Sequence, residues 1–318
     1  MRALLIVNPH ATTTTARARD VLVSALGDVV KVDVVLTESR HHACDIAAQA
    51  VEEGREAVIA FGGDGTVNEI VNGLLGDGAT GAADLPVVGV VPGGSSNVFA
   101  RALGFPDDPV EATGALLESL RGDVTRSIGL GRADQRWFTF TAGIGLDAGA
   151  VERVEKARSK GRRVTDALYV RAALAQYLFA TRHGEQPVTA ELVSADGQAS
   201  EVLHLGHAMI TNTSPWTYLG SRGVVITPNT TFETGLGLFG LAKLPMLSTT
   251  RAVSQLVRGK APHTKHSVIR EDLAEIRLSA QAELPFEVDG DAVDRRSTVT
   301  VRSHPDALRV FAPVAPTD

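Results

Sequence analysis

Gly62-Gly63-Asp64-Gly65-Thr66 stands between an apolar run, Ala57 to Phe61, and a segment, Val67 to Leu75, whose apolar residues fall at helical spacing. A glycine-rich turn therefore joins a buried strand to a helix N-terminus. Glycine lets the backbone approach a bulky anion, and unpaired N–H groups at a helix start favour negative charge. Asp64 by itself would repel a phosphate, so its presence asks for a cation between the two. The chemistry these residues suit is binding of a metal–polyphosphate, and Mg-ATP is the ligand they point to. Other phosphate and hydrolase signatures are missing: the chain has no G-x-x-x-x-G-K-[ST], no H-E-x-x-H, no G-x-S-x-G and no protein-kinase set.

The turn needs a scaffold, and the first 130 or so residues supply alternating strand and helix patterns. Strands are expected over Leu4 to Val7, Val29 to Leu36, Ala57 to Phe61 and Pro86 to Val91. Helices are expected over Ala16 to Leu26, His42 to Glu53, Val67 to Leu75, Asn97 to Leu103 and Pro109 to Leu120. Repeated βα units predict a mostly parallel, Rossmann-like sheet covered on both faces, with ligands bound beyond the carboxyl ends of its strands. Asn8-Pro9, the Gly62–Gly65 turn and Pro92-Gly93-Gly94 all fall at such ends, which argues for one site. Thr12 to Thr15 reads equally as a phosphate-side loop offering hydroxyls or as a solvated turn.

After about residue 132 the pattern changes to short alternating runs. Trp137 to Thr141, Val188 to Leu192, Val202 to Leu205, His207 to Thr211, Val224 to Ile226, Leu236 to Leu241, Ile276 to Leu278 and Phe286 to Val288 are strand candidates, with Asp196-Gly197 as a hairpin turn. A helical segment, Val151 to Thr181, interrupts them. The second half reads as an antiparallel β-rich sandwich or partly closed barrel. The expected domains are an α/β nucleotide-binding domain over 1–132 and a β-rich domain over 133–302, with the tail from about 303 to 318 returning to the first.

Composition narrows the function classes. The chain has 318 residues, 44% apolar and 21% charged, and a net charge of -6 that argues against nucleic acid as the main partner. A single cysteine, Cys44, excludes an intramolecular disulfide and a cysteine-based zinc site. The N-terminal apolar run is too short for a signal segment or membrane span. A cytoplasmic protein that visits the inner face of the cell membrane is the expectation. Arg153, Lys156, Arg158, Lys160, Arg162 and Arg163 would suit docking on an anionic membrane, or would form a solvated helix end. His41 and His42 are neighbours on a helix start and do not share a face as metal ligands would.

Five motifs in order make the chain resemble a known family. They are Asn8-Pro9; Gly62-Gly63-Asp64-Gly65-Thr66 with Asn68-Glu69; Pro92-Gly93-Gly94-Ser95-Ser96-Asn97 with Phe99-Ala100-Arg101; Gly143-Ile144-Gly145-Leu146-Asp147-Ala148; and Val288-Asp289-Gly290-Asp291. The chain is similar, over roughly residues 3 to 312, to the diacylglycerol kinase catalytic-domain family, which includes bacterial lipid kinases and sphingosine kinases. The resemblance implies an active site between a nucleotide-binding domain and a lipid-binding domain, and transfer of the ATP γ-phosphoryl group to a lipid hydroxyl.

Carried over by motif, the resemblance places Asn8, Thr37, Gly62, Gly63, Asp64, Gly65, Thr66, Asn68, Gly94, Ser95 and Asn97 at the nucleotide. Ser95 stands where Thr is usual and keeps a hydroxyl, whereas Val98 replaces a usual Asp. Asp64 and Asp147 are the candidates for holding Mg2+ through water. Asp289-Gly290-Asp291 matches a family Asp-Gly-Glu that contributes the catalytic base. Asp289 is favoured as base and Asp291, one methylene shorter than the family Glu, as a supporting or alternate carboxylate; each could instead be a plain turn residue. Family members often hold a structural Mg2+ on a Lys-x-x-Asp-Gly-x segment, where this chain has Thr231-Phe232-Glu233-Thr234-Gly235-Leu236, so no such metal is assigned.

The reading is an ATP- and Mg2+-dependent lipid kinase acting at a membrane surface, with diacylglycerol as the first acceptor and phosphatidic acid as product. A sphingoid base or phosphatidylglycerol is a different lipid acceptor that fits the same reading. NAD kinase, and a catalytically weak nucleotide- or lipid-binding regulator, are the alternatives; homodimer formation stays open.

Overall fold

The computed structural model describes residues 1–145, 187–197, 200–242, 251, 254–255, 258–259 and 261–313. The expected helix over 151–181, the basic run within it, and Asp147 lie outside the described residues. The chain divides into two compact units, Met1–Leu130 with Asp306–Asp318, and Gly131–Pro305.

The first unit is built on β1 (Arg2–Val7), β2 (Lys31–Leu36), β3 (Ala57–Gly62) and β4 (Val87–Pro92), with α1 (Ala16–Gly27), α2 (His42–Glu52), α3 (Asp64–Leu75), α4 (Val98–Ala102) and α5 (Pro109–Gly122). Neighbouring strands run parallel in the order β4-β3-β1-β2, with Ile6 opposite Ala60 and Ile59 opposite Gly89. Every residue of β3 and β4 is buried, as a parallel sheet covered on both faces requires; β2, at the edge, is mostly exposed. Side-chain oxygens start two of the helices. Thr15 accepts the Ala18 N–H at the head of α1, and Asp108 accepts the Val110 and Glu111 N–H groups ahead of Pro109 in α5. The start of α2 is capped from a distance: Glu69 on α3 accepts the N–H of His41 at 2.9 Å and of Ala43 at 3.2 Å. Gly73 lets α3 lie against α2, because a Cβ there would overlap the Cys44 carbonyl.

β5 (Thr125–Ala133) leads the chain into the second unit, which contains β6 (Arg136–Phe138), β7 (Thr141–Ile144), β8 (Val188–Ser194), β9 (Ser200–Leu205), β10 (His207–Thr211), β11 (Thr217–Leu219), β12 (Arg222–Val224), β13 (Leu236–Leu241), β14 (Ser267–Val288) and β15 (Asp291–Phe311). Its pairings are antiparallel, and β14 meets β13, β8, β7 and β15 along its length. Phe138, Ile144, Ile210, Leu238, Ile276, Phe286 and Val301 belong to one buried core cluster of this unit. Beyond Pro305, β15 belongs to the first unit, where Val310 pairs in parallel with Val88 and Ser119 Oγ donates to the Ala312 carbonyl at 2.5 Å.

Several elements differ from the sequence expectation, among them β5, which had no expected counterpart. Ile276 to Leu278 and Phe286 to Val288 belong to one 22-residue strand, β14, whose register shifts between Ser279 and Leu284. β15, of 21 residues, had no expected counterpart. Its exposed stretches carry charges that pair locally or across strands, such as Arg302 Nε with Glu275 at 2.6 Å, so apolar alternation is interrupted while the backbone ladder continues. The strand expected over Val224 to Ile226 falls instead on Arg222–Val224, and Ile226 is a buried residue of a satellite cluster with Met209, Phe239 and Leu241.

Candidate functional site: a glycine cradle and a clamped carboxylate turn

In the first unit, the turns after β3 and β4 touch through their backbones. Gly93 N–H donates to the Gly62 carbonyl at 2.7 Å. A Cβ on Gly94 would sit 2.8 Å from Gly63 Cα, and one on Gly93 would sit 2.9 Å from Gly62 Cα. Glycine is therefore required at both turns by close approach. Gly63 is the N-cap of α3, so the cradle lies at a helix start where backbone N–H groups face an anion.

The polar residues around the cradle have distinct jobs. Asp64 is half-buried, and its Oδ1 accepts the Phe99 N–H at 3.1 Å, tying the start of α3 to α4. Thr66 is buried, and its hydroxyl accepts from Asn8 Nδ2 at 3.0 Å. Thr37, also buried, donates its N–H to the Val7 carbonyl beside Asn8. Asn97 adopts φ 48° and closes its own turn: Oδ1 accepts the Gly94 N–H at 2.8 Å, while Nδ2 donates to the Gly94 carbonyl and to Asp107. Asn68 is 2% exposed and accepts from Asn72 within α3 through both its carbonyl and its Oδ1. Gly65, in the first turn of α3, and Ser95, in the turn after β4, are exposed.

The polar loop after Asn8 also reaches the cradle. Thr13 N–H donates to the Gly93 carbonyl at 3.0 Å. Thr14 is 9% exposed, its Oγ1 is buried without a hydrogen-bond partner, and that oxygen would lie 2.7 Å from a Cβ on Gly93. Sequence reading left this loop undecided, since a run of threonines carries no periodic signal. A glycine cradle at a helix start, with an orphaned hydroxyl beside it, fits a phosphate group. Among the described residues no cluster of three or more His, Cys, Asp or Glu forms a metal site, and Asp64 is the acidic side chain at the cradle that could face Mg2+ through water.

In the second unit, Asp289 and Gly290 both have positive φ, 48° and 79°, the geometry of a two-residue hairpin joining Val288 to Asp291. Asp289 is 7% exposed, and both its oxygens are taken. Oδ2 accepts Thr139 N–H and Thr139 Oγ1, each at 2.8 Å; Oδ1 accepts Phe140 N–H at 2.9 Å and Thr141 N–H at 3.0 Å. Burial pushes this carboxyl above its usual range, against the pull of the four hydrogen bonds. This engagement speaks against Asp289 as the base favoured from the sequence, because an incoming alcohol would have to displace a backbone donor. Asp291, the next carboxylate, is half-buried at the start of β15. Glu287, fully buried, accepts the Gly290 N–H at 2.9 Å and pins the same tip.

The Thr231–Gly235 turn is occupied by its own bonds. Thr234 Oγ1 accepts the Thr231 N–H at 3.0 Å, Thr231 Oγ1 accepts the Glu233 N–H, and Asp272 Oδ1 accepts the Gly235 N–H at 2.9 Å. Hydroxyl–backbone closure of this kind does not fit a metal cage.

The chain thus joins an α/β unit with a glycine cradle at its strand ends to an antiparallel unit carrying a carboxylate turn. Residues 2–132 match the diacylglycerol kinase catalytic domain. Over that segment the chain is similar to a family of lipid kinases. A Bacillus subtilis diacylglycerol kinase is 34% identical over 153 residues, 45% of this chain and 46% of that protein. A Staphylococcus aureus diacylglycerol kinase is 26% identical over 253 residues, 77% of this chain and 71% of that one. In fold, the chain resembles the crystal structure of a diacylglycerol kinase from Bacillus anthracis, with a TM-score of 0.71 at 19% identity, covering 99% of this chain and 97% of the other.

Proposed function

We propose that this protein transfers the γ-phosphoryl group of ATP to the hydroxyl of a lipid, with diacylglycerol as the acceptor and phosphatidic acid as the product. The observation that carries the reading is the pair of glycine turns at the ends of β3 and β4, packed backbone to backbone at the N-terminus of α3. Backbone N–H groups there hold phosphate oxygens, and Thr14 Oγ1 adds a hydroxyl donor beside them. Asp64 would hold magnesium through water, and the ion would supply neutralisation of phosphate charge.

The base in this reading is Asp291. Asp289 is engaged by the 139–141 stretch through both oxygens, and Asp291 is the next carboxylate, half-buried immediately after the pinned tip. Phosphoryl transfer has a loose transition state, so a carboxylate suffices to take the alcohol proton late, as the new bond forms. In this reading the acceptor is a membrane lipid met at the bilayer surface.

The test is γ-labelled ATP with Mg2+ and dispersed diacylglycerol, sphingosine and phosphatidylglycerol, with NAD in a parallel reaction. Label in diacylglycerol supports the full reading, and label in another lipid moves only the acceptor. Label in NAD alone, or saturable ATP binding without turnover, would overturn it.

A further inference from the structure

The three residues Thr139, Phe140 and Thr141 are 0%, 5% and 1% exposed, so none of their backbone groups can turn to water. Their three N–H groups all donate to the Asp289 carboxylate. Their three carbonyls accept from two residues: Thr139 O from Asn212 Nδ2 at 3.1 Å, Phe140 O from Asn212 N–H at 2.9 Å, and Thr141 O from Asp289 N–H at 2.9 Å. Two side chains and two backbone amides thus satisfy all six polar groups of the turn. Asn212, just beyond β10, is itself 1% exposed. Thr141 Oγ1 adds a bond to the Ile210 carbonyl at 3.0 Å, so the same stretch of chain grips the turn twice.

We propose that Asn212 is a positioning residue for the phosphoryl-transfer step, acting with Asp289 to clamp the 139–141 turn and thereby set the place of the Asp291 carboxylate. The inference rests on the lipid-kinase reading above. The path is covalent and hydrogen-bonded throughout. Asn212 holds the carbonyls of the turn, the N–H groups of the turn hold Asp289, and Asp289 occupies the hairpin tip two residues before Asp291. Only asparagine presents, at this size, an amide donor without charge. An aspartate at 212 would set a carboxylate against the Thr139 carbonyl, and an alanine would leave that carbonyl buried without its donor. A carboxylate displaced by a fraction of an ångström at the tip is poorly placed for the acceptor hydroxyl, and such misplacement is costly in rate.

The experiment compares Asn212→Ala, Thr139→Val, Thr139→Ser and Asp291→Asn with wild type in the lipid-labelling assay, with turnover expressed per folded molecule. Thr139→Val keeps the shape of the side chain and removes the hydroxyl bond to Asp289; Thr139→Ser restores that bond. A positioning role lowers kcat of Asn212→Ala by roughly 10- to 100-fold. It leaves KM for ATP within about twofold, because only the rate-determining geometry has changed. Thr139→Val shares the loss and Thr139→Ser recovers it. Unchanged kcat per folded molecule in Asn212→Ala, or equal turnover in the two Thr139 variants, overturns the clamp while leaving the kinase reading in place. Full turnover in Asp291→Asn overturns the base assignment and the positioning role that depends on it. A wild type that labels no lipid overturns the kinase reading itself, and the clamp's role with it.

Discussion

His207 opens β10 and packs edge-on to Phe239, with ring centroids 6.5 Å apart. It is 6% exposed, and its Nδ1 has no hydrogen-bond partner. Burial lowers its pKa from 6.5 to about 4, so the folded protein keeps the ring neutral while the unfolded chain protonates it. The stability this neutrality preserves is fully present above pH 6.5 and is lost as pH falls toward the folded value. At 1.36 kcal/mol per pKa unit the full loss is about 3 kcal/mol, and about 2 kcal/mol of it is reached near pH 5. Both tryptophans of the chain, Trp137 and Trp216, lie in the second unit, so their fluorescence follows the unit that contains His207. Urea unfolding read by that fluorescence at about pH 8 and about pH 5 gives the wild-type pH dependence. His207→Gln removes the titration and cancels the contribution of every other group. Wild type is expected to lose about 2 kcal/mol more than the variant between the two pH values. Equal losses would refute the argument, since they would mean that the ring is protonated in the fold without penalty.

Further outcomes concern the glycine cradle and the carboxylate turn. In Gly94→Ala the new Cβ meets Gly63 Cα at 2.8 Å and Asn97 Oδ1 at 3.0 Å; forcing the turns apart costs about 1–3 kcal/mol, and ATP titration should show affinity weakened by roughly tenfold or more. Thr14→Val keeps the shape of a buried residue and removes its hydroxyl, so the KM for ATP should rise several-fold with thermal stability unchanged or higher, measured by initial rates and a melting curve. Asp64→Asn keeps an acceptor for the Phe99 N–H and removes the charge; turnover should fall by two or more decades and the Mg2+ concentration needed for half-maximal rate should rise. Asp291→Asn should lose turnover by several decades with ATP binding intact, read by labelling and calorimetry side by side.

The glycine turn and its flanking strand and helix are properties of short stretches of chain. Only glycine tolerates the close approach needed after β3, and the spacing of Val67, Ile70, Val71 and Leu74 follows from the pitch of α3, so both were legible in residues 57–75. The continuous apolar runs of β3 and β4 likewise reported burial on both faces. Long-range contact decided the rest. Gly63 and Gly94 are 31 residues apart in sequence, and no local pattern says that their backbones touch. Glu69 caps a helix that precedes it, and β15 survives interruption of its apolar pattern because its ladder is paired to β14. Asp289 is the clearest case. Asp-Gly-Asp in sequence offers two carboxylates, of which Asp289 is the one favoured as base; folding brings residues 139–141 against it and fills it with donors 148–150 positions away. A carboxylate's chemistry is set by what occupies its lone pairs, and in this chain that is settled by strands distant in sequence, with Asn212 completing the clamp.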